Sequence, residues 1–272
     1  AHSPFIAPET YTRRFDGMVE NEADAAFFGM IENIDDNVGL LLDKLEEWGL
    51  AEDTLVIFMT DNGTARGRRY YNAGMRDGKG SVHEGGSRVP LFFRQPGTIE
   101  AGREVTTMTR HIDLFPTLAQ LAGAELPPSL ELDGHSLLPL LEGDEVDWQD
   151  RLTFFHKGRW DKEGAPGNWG SGETDPDDFR LKLFAVRSER WRMVGTDQLY
   201  DIQADPGETQ NVISEHPQVA ERLLTAYLQW WDEVRPHLIN EDAPLDVEKP
   251  FVEAYRAQTE SEGVPQWTPP AL

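Results

Sequence analysis

The residues from Thr54 to Thr60 constrain the fold of this chain more than any other stretch. They are almost all apolar or β-branched and show no polar alternation, which is typical of a strand buried on both faces in a parallel sheet. Asp61 and Asn62 follow this strand directly, at its carboxyl end. Ligands bind at that edge of open α/β sheets, so the sequence predicts the edge of an active site here.

An amphipathic helix precedes the strand. The polar residues 21–24 predict its start and Gly49 its end. Between them, apolar residues recur at spacings of three and four and form one stripe: Ile31, Ile34, Val38, Leu41, Leu42, Leu45 and Trp48. A helix that leads into a buried strand predicts an α/β fold, part of a mixed, mostly parallel sheet flanked by helices. The rest of that sheet is not in the sequence, and we expect it upstream.

The remaining residues predict further elements of this unit and a second, smaller one. Strands at 91–94 and 106–110 and a helix at 112–123 complete a first domain, residues 1–143. From about residue 144, short aromatic strands alternate with glycine-rich and acidic loops and indicate a small antiparallel sheet: 152–156, 184–187, 191–194 and 198–200.

A helix at 217–234 carries apolar residues at helical spacing and is expected to pack on that sheet, with its aromatic side chains in the core. We therefore predict a small α+β subdomain at 144–236 and a proline- and acid-rich tail at 237–272.

Asp61 and Asn62 are candidate metal ligands. A carboxylate beside an amide carbonyl offers two hard oxygens, which suit Ca²⁺ or Mg²⁺ better than zinc. The same Asp-Asn-Gly residues also form ordinary turns, and two ligands are too few for a site. Any further ligands must come from elsewhere in the fold.

Lys79 lies between two glycines in a segment that runs from Gly78 to Pro90. The glycines let the backbone approach a bound anion while the ammonium supplies a compact charge. We expect Arg88 to pair with Glu84 and fix this loop. A solvated lysine in a surface loop remains the alternative interpretation, and a lone histidine such as His2 is more often structural than catalytic.

Charge and composition exclude several classes of protein. With 25 Lys+Arg against 49 Asp+Glu, the net charge is −24, and such a surface repels nucleic acid and anionic membranes. The absence of cysteine excludes a thiolate zinc site and a cysteine nucleophile within this sequence. No apolar run is long enough to span a bilayer. The first residues carry neither an initiator methionine nor a leader, so we expect the sequence to be a fragment.

Several blocks of sequence, in order, resemble the type I, formylglycine-dependent (arylsulfatase-like) sulfatases of the alkaline phosphatase superfamily. These blocks are residues 1–5 with Pro8, 36–39, 60–63, 78–90, 111–117, 133–137 and 199–211. They run from residue 1 to about 235. The resemblance implies the carboxyl half of the catalytic domain followed by the carboxyl-terminal subdomain.

The resemblance also implies roles for individual residues. Asp61 and Asn62 would be two ligands of a single Ca²⁺, with Mg²⁺ less favoured, and Lys79 and His2 would contact the sulfate and its bridging oxygen. The family's nucleophile is a formylglycine made from a Cys or Ser in a Cys/Ser-x-Pro-x-Arg motif. That motif does not occur here, so we expect the amino-terminal half of the protein to supply it and this chain to be inactive alone.

The other histidines have different expected roles. His111 and His135 fall at a helix start and a turn, where structural roles are expected, and His83 is a candidate to line the cleft. His156 opens a loop rich in glycine and tryptophan that runs to Trp169. Such a loop suits a sulfated sugar, so His156 is a candidate substrate-binding residue.

Three functions remain open at this point. The first is hydrolysis of an aryl or carbohydrate sulfate, with a periplasmic or secreted location implied by the family. The second is a phosphatase or phosphonate monoester hydrolase of the same superfamily; its two-metal members carry histidine where Asn62 stands, and Asn62 argues for one hard cation. The third is a non-catalytic fragment that binds sulfated glycan or complements an amino-terminal half.

Overall fold

The structure, a computed structural model, describes residues 1–148, 151–157, 175–238 and 250–261. Its α-helices are α1 Glu9–Thr12, α2 Glu22–Glu47, α3 Glu84–Ser87, α4 Leu114–Leu121, α5 Leu138–Glu142, α6 Pro217–Val234 and α7 Pro250–Ser261. Its strands are β1 Val56–Met59, β2 Leu91–Arg94, β3 Thr153–His156, β4 Phe184–Arg187, β5 Trp191–Val194 and β6 Gln198–Asp201. Short 3₁₀ turns lie at Arg13–Phe15, Gly67–Arg69, His111–Asp113, Pro176–Phe179 and Arg235–His237. None of the described helices is both long and apolar enough to cross a bilayer.

Helix α2 forms as its sequence predicts. The Asn21 side chain accepts a hydrogen bond from the Asp24 backbone N–H (3.0 Å), which satisfies a free donor at the helix start. The buried residues lie mainly in the first turns, and Leu45 is buried near the end. The predicted apolar stripe differs from expectation, because within the described residues it lies largely at the surface: Ile31, Ile34, Leu41 and Trp48 are all exposed.

Strands β1 and β2 form a two-stranded antiparallel sheet. Val56 lies opposite Arg94 and Met59 lies opposite Leu91. Every position of β1 is half-buried; burial on both faces in a parallel sheet stays a prediction, because we expect the rest of that sheet upstream of this sequence. The α/β class is confirmed, with helices and strands mixed and the described sheets antiparallel.

The predicted strand at 106–110 does not form; these residues adopt no regular structure. Side chains occupy backbone groups that a strand ladder would need. The Arg110 N–H donates to the Asp113 carboxylate (2.6 Å), and the Met108 carbonyl accepts from Arg151 (3.4 Å). A capping box at the following 3₁₀ turn thus replaces strand pairing, despite the β-branched residues in this segment.

The carboxyl-terminal sheet has the order β3-β4-β5-β6, antiparallel throughout, as predicted. Helix α6 packs on β4 and β5. Its Tyr227 ring stacks on Phe184 with centroids 3.9 Å apart, and Leu223 and Trp231 are fully buried. This face forms one hydrophobic core, and the aromatic residues of α6 lie in it as expected.

The predicted domain boundaries at 143 and 236 stay predictions. Helix α7 lies inside the predicted tail, where the sequence indicated no helix. Residues 158–174, which include most of the predicted tryptophan-rich loop, lie outside the described residues, as do 239–249 and 262–272.

Candidate active site

Asp61 and Asn62 form a turn just beyond β1. The Thr60 hydroxyl donates to the Asn62 carbonyl (3.1 Å) and closes the turn on itself. The Asp61 side chain is exposed and that of Asn62 is half-buried. Across the described ranges, neither side chain has a hydrogen-bond or ion-pair partner in the protein. Their oxygens are therefore available to an external ligand.

The backbone joins this turn to the segment that carries Lys79, which we call the Lys79 loop (residues 76–88). The Gly63 N–H donates to the Gly86 carbonyl (3.1 Å), and the Lys79 N–H donates to the Thr64 carbonyl (3.0 Å). A Cβ at Gly63 would lie 1.7 Å from the Gly85 carbonyl oxygen, so only glycine allows this approach. The structure thus brings the predicted metal ligands and the predicted sulfate-binding lysine to neighbouring positions.

The Lys79 side chain is exposed and has no ion-pair partner among the described residues. Lysine ammonium groups that already pair with a carboxylate are less available to an anion. Within the described residues, the Lys79 ammonium is therefore available to an anion, although the chain has a net charge of −24.

His2 lies in an exposed amino-terminal segment that packs against α2 and Arg66. The Phe5 ring contacts Phe27 of α2 edge-on at 5.6 Å, and the Arg66 guanidinium lies 5.5 Å from the Phe5 ring centroid. The His2 Nδ1 contacts the Ser3 carbonyl at 2.8 Å. Within the described part of the chain, no hydrogen bond or ion pair joins the side chains of His2, Asp61, Asn62 and Lys79 to one another.

His156 is placed differently from the other candidate residues. Its neighbour on β3, Phe155, faces the Arg192 guanidinium at 5.0 Å, and side chains alternate between the two faces of a strand. His156 accordingly points toward α6, with its ring 5.0 Å from Trp231 and its Nε2 3.0 Å from the Phe179 carbonyl. Burial, only partly offset by hydrogen bonds to the Phe179 and Lys157 backbone, lowers the pKa of His156. Substrate contact by this residue stays a prediction.

A buried ionic cluster between the Lys79 loop and the carboxyl-terminal antiparallel sheet was missed from the sequence. Glu84, in α3, is 2% exposed, and its Oε1 accepts hydrogen bonds from Arg187 (2.8 Å) and Arg192 (2.9 and 2.6 Å). The expected Glu84–Arg88 pair is wrong. Arg88 is exposed at the end of α3 and uses only its backbone N–H toward the Glu84 carbonyl (2.8 Å), because the Glu84 carboxylate points inward to the antiparallel sheet.

Glu208 completes this cluster from the turn after β6. One carboxylate oxygen accepts from the Glu84 N–H (2.6 Å) and the other contacts the His83 Nδ1. The expectation that His83 lines the cleft is therefore wrong, since its ring is buried against Glu208. Arg76, at the start of the Lys79 loop, donates to the Tyr200 hydroxyl (2.8 Å) and the Glu208 carbonyl (3.3 Å).

Electrostatics keep Glu84 ionised in this buried position. Burial on its own would raise the pKa of Glu84, but the charges and hydrogen bonds of Arg192 and Arg187 outweigh it, so the pKa lies below its ordinary value. The cluster is missed from sequence because its loop members lie more than 100 residues from its subdomain members, with Glu84 and Arg192 separated by 108 positions.

A second cluster fixes the segment between Asn62 and the Lys79 loop. Asp24, buried in the first turn of α2, accepts from Arg66 (2.5 Å), the Tyr70 hydroxyl (2.8 Å) and Arg69. This carboxylate holds the 3₁₀ turn Gly67–Arg69 against the helix.

The chemistry of the donors fits a hard cation in part. Among the described residues, no group of three or more histidine, aspartate or glutamate side chains is arranged to hold a metal. Asp61 and Asn62 supply two unpaired oxygens of the type that Ca²⁺ prefers, and Ca²⁺ takes roughly six to eight oxygen ligands. The described residues thus account for part of a coordination shell.

Family models match most of the chain. The model described as Sulfatase matches residues 1–124, and the model described as N-sulphoglucosamine sulphohydrolase, C-terminal, matches residues 74–229. A sulfatase of Formosa agariphila is 35% identical over 239 residues, which are 83% of this chain and 41% of that protein.

Solved structures are also similar. Ps i-CgsB, in complex with k-i-k-neocarrahexaose, superposes with a TM-score of 0.71 at 25% identity over 96% of this chain and 53% of that one. Phosphonate monoester hydrolase of Agrobacterium radiobacter gives a TM-score of 0.53 at 30% identity over 84% of this chain and 46% of that one. The chain spans about half the length, or less, of each of these proteins.

Proposed function

This chain belongs to the sulfatase family, and on that premise we propose that the complete protein hydrolyses a sulfate ester of an aryl alcohol or a carbohydrate. The observation that carries the proposal is the backbone joint between the Asp61–Asn62 turn and the Lys79 loop. It brings the backbone of the Lys79 loop to the turn that carries Asp61 and Asn62, and within the described residues all three side chains are without a polar partner. An anion held by a cation and a lysine is the arrangement that sulfate transfer requires.

Two groups outside the described residues are part of this proposal. Asp61 and Asn62 would supply two of the ligands of one Ca²⁺, and the ion would supply fixed positive charge beside the sulfate. A formylglycine, made from a Cys or Ser outside this chain, would supply the nucleophile. The amino-terminal half of the same protein is accordingly a required partner.

Lys79 and His2 carry out the steps that belong to this chain. The Lys79 ammonium binds the sulfate and stabilises charge that develops on its oxygens. The Ser3 carbonyl can only accept a hydrogen bond, so the His2 Nδ1 carries a proton and Nε2 is the nitrogen that can hold or release one. From Nε2, a protonated His2 donates its proton to the departing alcohol oxygen.

A sulfated carbohydrate is the substrate class that we favour. The carbohydrate complex of Ps i-CgsB supports it. Nucleic acid and anionic membranes are disfavoured because the net charge is −24. A polyanionic substrate would need local cations such as Lys79 to offset the same overall field.

The second candidate is hydrolysis of a phosphate or phosphonate monoester, which the similarity to the Agrobacterium radiobacter enzyme favours. Asn62 rather than a histidine after Asp61 argues for one hard cation and against a two-metal site. A non-catalytic sulfated-glycan-binding role is the third candidate.

One assay separates the three candidates. The complete protein, matured by a formylglycine-generating enzyme, is given aryl sulfate and aryl phosphate with Ca²⁺ and then with a chelator. We expect sulfate turnover to dominate and to fall when Ca²⁺ is removed. Dominant phosphate turnover would establish the second candidate, and glycan binding without turnover of either ester would establish the third.

A further inference from the structure

We infer that Arg192 and Glu208 of the carboxyl-terminal subdomain, together with Glu84 within the Lys79 loop, are positioning residues that hold this loop on the antiparallel sheet. The inference rests on the proposed role of Lys79 for its catalytic consequence, but its structural part is independent of that role. No substrate contact is assigned to these three residues.

Two side chains of the subdomain make the attachment: Arg192 donates hydrogen bonds to the loop, and Glu208 accepts one from it. Arg192, on β5, reaches the Glu84 carboxylate, the Val82 carbonyl and the Ser87 hydroxyl, the last at 3.0 Å. Glu208, beyond β6, accepts the Glu84 N–H at 2.6 Å. The loop is thereby bound through both its backbone and its one buried carboxylate.

Several positions of the loop have no side chain through which it could be held. Gly78, Gly80, Gly85 and Gly86 supply no side chain, and Asp77 and Gly80 have positive φ values of 61° and 82°. Glycine-rich segments have large conformational entropy, so a defined shape needs fixed partners. The hydrogen bonds from Lys79 N–H to Thr64 (3.0 Å) and from Gly85 N–H to Arg76 (2.8 Å) report whether that shape is kept.

Stability alone is a poor explanation for a charged cluster at this place. Arg192 is 1% exposed, and Glu84 and Glu208 are each 2% exposed. Replacing a buried ion pair by apolar residues of similar size is often neutral or stabilising, because burial of the charges costs much of what their attraction returns. The charged partners instead fix the orientation of the Glu84 side chain, since a carboxylate held by two guanidinium groups has few permitted orientations.

Hydrogen exchange in the complete protein tests the inference. Glu84→Gln and Glu208→Gln are compared with Asp113→Asn, which alters an equally buried Arg-bound carboxylate that does not contact the loop. We expect the amides of Lys79 and Gly85 to exchange roughly tenfold faster or more in the first two variants, while α6 amides stay protected. Arg190→Gln, which breaks the exposed Arg190–Asp201 pair of the same sheet, is a second control if Asp113→Asn does not fold.

Unchanged exchange at Lys79 and Gly85 in both variants would overturn the inference. An equal increase in the control variants would also overturn it, because the effect would then be general loosening. If Glu84→Gln or Glu208→Gln fails to fold, Arg192→Lys, which keeps the charge and loses the contact of two guanidinium nitrogens with Glu84 Oε1, replaces it with the same expected result.

Steady-state kinetics link the loop to the reaction. We expect Glu84→Gln to lower kcat for the sulfate ester about tenfold or more with a smaller change in KM, since the lysine is displaced but not removed. Lys79→Ala separates this inference from the proposed function. If Lys79→Ala leaves turnover unchanged while the exchange results hold, the proposed role of Lys79 fails and the positioning of the loop stands.

Discussion

Two buried arginine–carboxylate clusters in this chain look alike and have different consequences. Glu84 is held by Arg192 and Arg187, and Asp113 is held by Arg151, with both carboxylates at most 2% exposed. In both, burial would raise the pKa of the carboxyl group, and the arginine partners lower it below the ordinary value. Burial, arginine partners and the direction of the pKa shift therefore do not distinguish the roles of the two clusters.

The partners of the Asp113 cluster are closer in sequence, with Arg151 the farthest at 38 positions from Asp113. Its carboxylate also accepts the Arg110 N–H (2.6 Å) and the His135 N–H (2.9 Å), and the Thr117 hydroxyl bonds its carbonyl. It caps the 3₁₀ turn His111–Asp113 that leads into α4 and fixes the segment before α5 through the His135 N–H. The Glu84 cluster instead connects elements more than 100 positions apart and lies between the Lys79 loop and the carboxyl-terminal antiparallel sheet. Both clusters cross the predicted boundary at residue 143, the first through Arg151, but among the described residues only the Glu84 cluster contacts the Lys79 loop.

The largest expected effect comes from removing one arginine from each cluster. Arg192→Met and Arg151→Met should each destabilise the protein by about 3–5 kcal/mol, because a buried carboxylate loses its partner. Chemical denaturation measures this. Only Arg192→Met should also alter a spectroscopic probe placed at position 80 in the Lys79 loop under native conditions. If Arg151→Met alters that probe equally, the two clusters do not differ in the way described.

The sequence predicts the elements of the fold better than it predicts the partners of the site. Helix α6 and the four subdomain strands follow from period and composition, since local residues decide them. The turn after β1 and the glycines around Lys79 also carry local signals. Arg88 is near Glu84 in sequence and suggests a pair, whereas Arg192 is the partner in the structure. Only the three-dimensional fold shows which of many arginines reaches a buried glutamate.

The next largest effect is a loss of activity with no change in stability. Lys79→Ala in the complete protein should lower sulfate turnover by about 10²–10³-fold, as loss of one group that stabilises transition-state charge does. Its unfolding transition should match that of the unaltered protein, because the Lys79 side chain is exposed and unpaired within the described residues. Steady-state kinetics and thermal denaturation measure the two. Arg88→Ala, an exposed cation of the same loop, is the matched control and should retain turnover.

A smaller effect is expected when alanine replaces Gly63, next to the Lys79 loop, or Gly134, next to the Asp113 cluster. A Cβ at Gly63 would lie 1.7 Å from the Gly85 carbonyl oxygen, and one at Gly134 would lie 2.2 Å from the Ile112 carbonyl oxygen. Each alanine substitution should cost about 1–3 kcal/mol of stability, since backbone must move. Only Gly63→Ala should also reduce turnover per folded molecule, because it separates Asn62 from the Lys79 loop. Equal turnover in both variants would contradict the proposal that the backbone contact between the Asp61–Asn62 turn and the Lys79 loop forms the site.

The smallest effect is a change in the pKa of His135, which lies beside the Asp113 cluster. Burial and then the charges of Arg151 and Arg110 lower the pKa of His135 below 6.5, while Asp113 opposes them. The unfolded chain therefore binds more protons than the folded one just below pH 6.5, and this residue contributes less stability as the pH falls through that range. Arg151→Met removes a repulsive cation and leaves Asp113 in place.

The pKa of His135 should accordingly rise in Arg151→Met, and its contribution to acid sensitivity should shrink. NMR titration of the imidazole measures the pKa in the folded state, so the measurement does not depend on how much stability the substitution costs. Arg192→Met should leave the His135 pKa where it is, because Arg192 belongs to the other cluster. An unchanged pKa in Arg151→Met would mean that burial alone sets it, and the Asp113 cluster would then act on its surroundings through packing rather than charge.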